Sequence, residues 1–474
     1  MAEMITPDIC VVGGGPAGIA LALRAVREAV PVVLIEKGQP GGADLSYGSV
    51  PSKALIAAAD HHDLLRGGPA FGVTGAPLQV NFGKVGDHIR SVGNAVAPRV
   101  SAERLAALGV RVIGAPARFL DRRTVLAGEF TIIARRFVLA TGAIPAVPDI
   151  PGLADVGYMT AESAFDITRK PGHLLVLGAG SYALELAQAY SRLGVDTTII
   201  DSKTALPDED PELATVVVDR LRAEGVRIRD RVTISGIVRR RGGIRLTVVE
   251  DGVEMPIDGS HLLVIAGRSP DVADLGLAAA GIAYDNQGVT VDGLMRTTNR
   301  RVYAIGDVIA GPAVAARGDR QAELVLRSIL YRLPKRGFSA DVPVVTYTDP
   351  GLARIGISES EARRRKDKVR VLRFPFVEND LAQIEHMPVG FIKAIVSRRG
   401  RVLGVSIVGR NAGELIALWS LAVANRLNIR AIAEMVTPYP SRSAISKSVA
   451  ESFDEAGLTR RLRRRIIEFL RKFG

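Results

Sequence analysis

Ile9-Cys10-Val11-Val12-Gly13-Gly14-Gly15-Pro16-Ala17-Gly18 is an apolar run that ends in a glycine-rich turn. A short continuous apolar stretch closed by glycines reads as a buried strand. Ile19 to Arg27 then carries a helical pattern, and Pro31 to Ile35 is a second apolar strand ending on Glu36, 23 residues after Gly13. Strand, glycine turn, helix, strand and terminal acid form a dinucleotide fingerprint in which each part has a task. Gly13 permits the tight turn, Gly15 lets backbone N–H groups approach a pyrophosphate, and Gly18 allows close packing of the helix. The helix N-terminus favours the anion, and Glu36 is placed to accept hydrogen bonds from a ribose diol. Pro16, Ala17 and Lys37 complete this expected contact set.

One glycine motif alone is weak support, because glycine-rich turns are common. This chain repeats the whole construction: Leu174 to Leu177 is a strand, Gly178-Ala179-Gly180-Ser181-Tyr182-Ala183 is the turn, and Thr197 to Ile200 ends at Asp201, again 23 residues on. Gly178, Gly180, Ala183 and Asp201 are the second contact set. Two fingerprints predict two dinucleotides, the pattern of a flavoprotein that also binds a nicotinamide nucleotide. A carboxylate at position 201 accepts from a free 2′-hydroxyl and repels a 2′-phosphate. NADH is therefore the expected donor, with Lys203 near enough to admit NADPH.

Gly41-Gly42-Ala43-Asp44-Leu45-Ser46-Tyr47-Gly48-Ser49-Val50-Pro51-Ser52-Lys53 closely resembles the flavin-facing segment of the pyridine nucleotide-disulfide oxidoreductases, the family of dihydrolipoamide dehydrogenase, glutathione reductase and mercuric reductase. Other stretches resemble that family in its own order. Ala140-Thr141-Gly142-Ala143-Ile144-Pro145 is similar to the crossover of the FAD domain, and Ala266-Gly267-Arg268-Ser269-Pro270 to the end of the nicotinamide domain. Val302-Tyr303-Ala304-Ile305-Gly306-Asp307 resembles the second FAD motif, whose carboxylate binds the ribityl hydroxyls. Val345 to Pro350 and Leu403 to Gly409 resemble the interface domain. The resemblance implies an α/β fold with two Rossmann-like nucleotide-binding domains and a C-terminal α+β dimerisation domain. It sets an FAD domain over 1–150, an NAD(P) domain over 151–270, a return of the FAD and central part over 271–340, and a homodimerising domain over 341–455. It implies FAD and NADH as cofactors, with Gly42, Lys53, Thr141, Gly142 and Asp307 on the FAD side and Gly267 on the nicotinamide side.

In that family two cysteines of this segment form the redox-active disulfide; here their positions hold Asp44 and Ser49. The resemblance also implies that Lys53 reaches the flavin N5 region, held by a glutamate whose place is taken by Glu185. A charge-paired lysine beside a flavin favours the anionic reduced form and helps it accept hydride. Near the C-terminus the disulfide reductases carry a His-Pro-Thr and a glutamate that serve the thiols, and the aligned residues are Tyr439, Pro440, Ser441 and Ala444. Mercuric reductases share the tyrosine, so Ala444 carries more weight: it removes the carboxylate that would orient a base. A hydroxyl or carboxylate cannot replace an attacking thiolate. The expected function is an FAD-dependent NAD(P)H dehydrogenase that passes electrons directly to an acceptor such as a quinone, with Asp44, Ser49 and Tyr439 lining the acceptor pocket. Two alternatives stay open: a reductase of a metal ion, dye or O2, and a low-turnover sensing module that binds flavin and NAD.

The bulk properties bound these readings. A chain of 474 residues exceeds one ordinary core and suggests about three domains. Cys10 is the single cysteine, which excludes an internal disulfide or a CxxC pair, and inside a strand it acts as a small hydrophobe. With no signal-peptide pattern at the start and no uninterrupted apolar run of about 18 residues, the expected location is cytoplasmic. His61 and His62 are adjacent and lack a third ligand, so no metal site is expected. Arg239 to Arg241 and Arg363 to Lys366 read as solvated surface, and no nucleic-acid motif accompanies them. The basic amphipathic tail over 456–474 is different. Leu458, Leu462, Ile466, Phe469, Leu470 and Phe473 share one helical face, and Arg460, Arg461, Arg464, Arg465, Arg471 and Lys472 the opposite one. With Arg463 and Glu468, residues 458–474 carry +6 of the chain's net +12. Such a helix suits the anionic surface of a membrane, which makes peripheral attachment to its cytoplasmic face the expectation.

Overall fold

The computed structural model describes residues 3–75, 78–311, 315–331, 342–455 and 466–473. The chain divides into two compact units, 1–204 with 226–339 and 205–225 with 340–474. In the first unit, β1 (Ile9–Val12), α1 (Pro16–Arg27), β2 (Val32–Glu36), α2 (Gly42–Ser46), α3 (Ser49–Gly67), β3 (Arg111–Gly114) and β4 (Arg136–Leu139) build the first fingerprint region. β5 (His173–Leu177), α4 (Ser181–Arg192), β6 (Asp196–Ile200), β7 (Arg227–Arg229) and β8 (His261–Val264) build the second, and β9 (Val302–Ala304) and α5 (Ala315–Tyr331) return to the first. A five-stranded parallel sheet has the order β9-β4-β1-β2-β3, and a four-stranded parallel sheet the order β7-β6-β5-β8. Ile9, Cys10 and Val11 are all fully buried, as strands covered on both faces require. Burial pushes the Cys10 thiol well up, away from any thiolate chemistry.

The two sheets obey one local rule. Each central strand is left through a left-handed glycine, Gly13 at φ +108° and Gly178 at φ +115°. A Cβ on Gly13 would stand 2.4 Å from the Ala140 carbonyl oxygen, and one on Gly178 2.2 Å from that of Ile265. A side chain is excluded at both turns because the neighbouring strand passes there. Gly18 closes the first turn, where a Cβ would stand 2.0 Å from the Gly13 oxygen; the fully buried Ala183 holds that place in the second.

The second unit is a five-stranded antiparallel sheet of β10 (Val344–Thr346), β11 (Gly351–Gly356), β12 (Val369–Pro375), β13 (Phe391–Ser397) and β14 (Val402–Gly409), ordered β10-β11-β14-β13-β12. α6 (Ala412–Ala424) and α7 (Ala444–Glu455) cover it around the buried Trp419. The helix Pro211–Ala223 groups with this unit, although it falls within the 151–270 segment assigned to the nicotinamide domain from sequence. Polar contacts tie its start to this unit, as Glu209 accepts from Arg354, Asp210 from Lys393, and Glu212 from Arg373, and Leu213, Val217 and Leu221 are buried along the helix. Of the tail, residues 456–465 and 474 lie outside the described residues; 466–470 are helical. Ile466, Ile467, Phe469, Leu470 and Phe473 are all exposed there.

Candidate functional site

Gly15 caps α1 without any side-chain hydrogen bond, and a Cβ on it would meet open space. The N–H groups at that helix end therefore face an unobstructed cradle, which fits a diphosphate. Glu36 accepts hydrogen bonds from the Gly14 N–H at 2.5 Å and the Gly38 N–H at 2.7 Å. The second turn is built alike. Gly180 caps α4 with open space beside it, and Asp201 accepts from the N–H groups of Ala179 at 2.6 Å and Lys203 at 2.8 Å. Both turns are thus shaped for a nucleotide with a ribose hydroxyl on the acid.

The segment Gly41 to Lys53 lies directly over the first turn. The Gly41 N–H donates to the Gly14 carbonyl at 2.8 Å, and a Cβ on Gly42 would be 2.9 Å from the Gly15 Cα. α2 is a five-residue helix that breaks at Tyr47, and α3 starts afresh at Ser49. Gly48 between them admits no side chain, because a Cβ would stand 2.9 Å from the Ala43 carbonyl oxygen and 3.1 Å from Asp44 Oδ1. This close fold brings the half-buried Asp44 and the exposed Ser49 together: Ser49 Oγ donates to Asp44 Oδ1 at 3.1 Å.

One turn further along α3, Lys53 Nζ donates to Glu185 Oε2 at 2.6 Å. The Glu185 side chain is 3% exposed and that of Lys53 33%, so a carboxylate removed from water is compensated by a cation that still reaches a surface. Two residues that sequence reasoning passed over flank this pair. Tyr182 Oη donates to the Tyr47 carbonyl at 2.7 Å, and the buried Arg192 donates to Asp60 at 2.6 Å with Asp63 at 3.6 Å. Their spacing of three and seven residues around Glu185 puts all three on one face of α4, the signal that could have found them.

Asp307 is ion-paired with Arg268 at 2.7 Å, and Arg268 also donates to the Ala143 carbonyl. Burial pushes the Asp307 carboxyl up, opposed by the charges of Arg268 and Arg317 and reinforced by Asp44. Thr141 Oγ1 donates to the Asp271 carbonyl at 2.7 Å, and the left-handed Gly142 accepts from the Asp271 N–H at 3.0 Å. Lys37 is engaged by the Asp271 carboxylate at 2.7 Å. Gly267, at φ +125°, accepts from the Ala146 N–H. In the second unit, Tyr439 is 81% exposed and donates to Asp380 at 2.8 Å, and Ala444 opens α7.

Residues 7–322 match the model of the pyridine nucleotide-disulphide oxidoreductase family, and residues 342–449 match its dimerisation domain. The chain belongs to that family. It is 34% identical to mercuric reductase of Shigella flexneri over 94% of this chain and 81% of that protein. It is 29% identical to dihydrolipoyl dehydrogenase of Geobacillus stearothermophilus, over 94% and 96%. The crystal structure of LpdA from Mycobacterium tuberculosis superposes with a TM-score of 0.86 at 26% identity, covering 95% of this chain and 99% of that one. The fold is accordingly the mixed α/β arrangement of an FAD-binding region with a C-terminal dimerisation domain, and FAD and NAD(P)H are the cofactors of the family.

Proposed function

We propose that this flavoprotein is an NADH dehydrogenase that returns electrons to a small acceptor, a quinone first among them, without a dithiol relay. The observation that carries the reading is the Asp44–Ser49 pair, a carboxylate bonded to a hydroxyl at 3.1 Å where a disulfide reductase needs two sulfurs. When bound, FAD supplies hydride acceptance from the nicotinamide and onward two-electron or stepwise transfer, neither of which needs a thiol. The chain's own part is to hold the donor on the second glycine turn, fix Lys53 through Glu185, and leave Asp44 and Ser49 toward the acceptor. Asp201 makes NADH the preferred donor, since a 2′-phosphate would meet its carboxylate. We take the protein to act as a homodimer through its dimerisation domain.

Anaerobic stopped-flow on the FAD-loaded protein tests this. NADH is expected to bleach the flavin at concentrations about tenfold below those NADPH needs, a difference of about 1.4 kcal/mol. A water-soluble quinone is then expected to reoxidise it faster than lipoamide, glutathione disulfide, mercuric ion or a dye. Failure of NADH to bleach the flavin, or fastest reoxidation by a disulfide, would sink the proposal. A reduced flavin that no acceptor reoxidises would favour the sensing role instead.

The reading extends to attachment at the cytoplasmic face of a membrane through the tail. Its seven basic residues against one acid and its exposed Phe469, Leu470 and Phe473 suit an anionic lipid surface. The full chain is expected to float with phosphatidylglycerol vesicles at low salt and to lose that behaviour when residues 458–474 are deleted. If neither form floats, the attachment is refuted.

A further inference from the structure

Three polar contacts link α4 to α3 and the turn before it: Tyr182 donates to the Tyr47 carbonyl, Lys53 to Glu185, and Arg192 to Asp60. The first of these meets a specific need of the backbone. A helix running through position 47 would bond the Tyr47 carbonyl to the N–H of residue 51, but residue 51 is proline and has none to offer. The Gly48 carbonyl is served by the Ser52 N–H at 3.2 Å. The Tyr47 carbonyl instead accepts from the Tyr182 phenol at 2.7 Å, with the Gly48 carbonyl 3.5 Å from the same oxygen. Burial pushes that phenol's pKa up against a hydrogen bond with Ser52 and the charge of Arg268, which lower it, while the charges of Glu185 and Asp44 add to the rise; the group therefore remains a hydrogen-bond donor. The Tyr47–Gly48 junction it grips joins α2, which carries Asp44, to α3, which starts with Ser49.

We infer that Tyr182 is the positioning residue for the Asp44–Ser49 pair, fixing by a hydrogen bond from the nicotinamide-side helix a turn that a covalent bridge between positions 44 and 49 would otherwise fix. The functional half of this inference rests on the reading of that pair as facing the acceptor. A single exposed hydroxyl–carboxylate bond between Ser49 and Asp44 is a weak restraint, whereas a short disulfide loop removes much of the turn's freedom. Tyr182 is placed to supply the missing restraint from outside the loop.

The test compares FAD-loaded wild type with Tyr182→Phe, which removes one oxygen and keeps the ring. Exchange of the Gly48 and Ser52 amides, bonded to the Ala43 and Gly48 carbonyls, is expected to rise about tenfold with an unchanged thermal midpoint, as for a local opening. Reoxidation of reduced flavin by quinone is expected to slow about tenfold while reduction by NADH stays within about twofold, a split that a general folding defect does not produce. Introducing Asp44→Cys and Ser49→Cys into the Tyr182→Phe protein and oxidising the pair is expected to restore protection, and dithiothreitol to remove it again. Unchanged exchange in Tyr182→Phe overturns the inference, as does faster exchange throughout α3 and α4 with a lowered thermal midpoint. Locally faster exchange with unchanged quinone reoxidation keeps Tyr182 as the anchor and overturns the acceptor-facing reading of the pair.

Discussion

Lys53→Met is expected to slow anaerobic flavin reduction by NADH about 100-fold, equivalent to about 2.7 kcal/mol of barrier. Methionine keeps the length and apolar stem of the side chain and removes only the ammonium. That ammonium is the partner of Glu185, whose side chain is 3% exposed, and truncating one member of such a pair leaves a charge with little water to solvate it, at a cost of about 3 kcal/mol. Two effects are therefore expected together, slower hydride acceptance and lower stability, and a second variant separates them. Lys53→Met with Glu185→Gln removes both charges and is expected to recover most of the stability but none of the rate. Electrostatic stabilisation of a reduced flavin requires the cation itself. Single-turnover kinetics with urea titration of the same preparations reads both quantities. A Lys53→Met enzyme reduced within about threefold of the wild-type rate, under about 0.7 kcal/mol, would refute a role for Lys53 in hydride acceptance.

The parts of this site that sequence makes legible are those whose demand is local and steric. Gly13, Gly18 and Gly178 are readable because backbone stands 2.0–2.4 Å from where their Cβ atoms would be, and no neighbour can relieve that. Glu36 and Asp201 are readable because a strand end at fixed spacing places them at the turn. The Lys53–Glu185 bond spans 132 residues; no local periodicity joins those positions, and only the family resemblance brings them together. Tyr182 is hidden for a different reason. It occupies a free position of the glycine motif, and its partner is a main-chain carbonyl, which carries no residue identity to read. The helix Pro211–Ala223 is hidden similarly. Its amphipathic pattern says that one face is covered, whereas the partners that meet its acidic start, Arg354, Arg373 and Lys393, lie in a sheet formed more than 130 residues later.

That grouping leads to the largest stability effect expected in the second unit. The Lys393 side chain on β13 is 3% exposed, and its Nζ lies 2.6 Å from Asp210, 2.7 Å from Glu212 and 2.9 Å from Glu359. Three carboxylates converge on one buried ammonium, with Arg373 bonding Glu212 and Glu359 from the solvent side. Lys393→Met removes the cation and leaves the carboxylates facing one another, so unfolding free energy at neutral pH is expected to fall by about 3–5 kcal/mol. The pH dependence has a definite sign. Burial pushes the Lys393 ammonium down, but its bonds to Asp210, Glu212 and Glu359 outweigh this and raise its pKa. The Arg373 bond foremost holds Glu212 low, and Glu359 is held low by Lys393 and Arg363 against the opposing effect of burial. Depressed carboxyls stabilise above their ordinary range, and that contribution is lost as pH falls through their folded values; the raised ammonium stabilises until pH rises through its own. The network is therefore fully effective between about pH 5 and pH 10. Wild-type stability should fall steeply on acidification below that window, and the Lys393→Met protein, already without the cation that holds these carboxyls down, should fall less steeply. Trp419, the chain's single tryptophan, is fully buried in this unit, so urea titrations followed by its fluorescence at a series of pH values read the unit directly. A Lys393→Met protein within about 1 kcal/mol of wild type at neutral pH, close to the worth of an exposed ion pair, would show that the convergence on Lys393 does not hold the helix Pro211–Ala223 to the sheet.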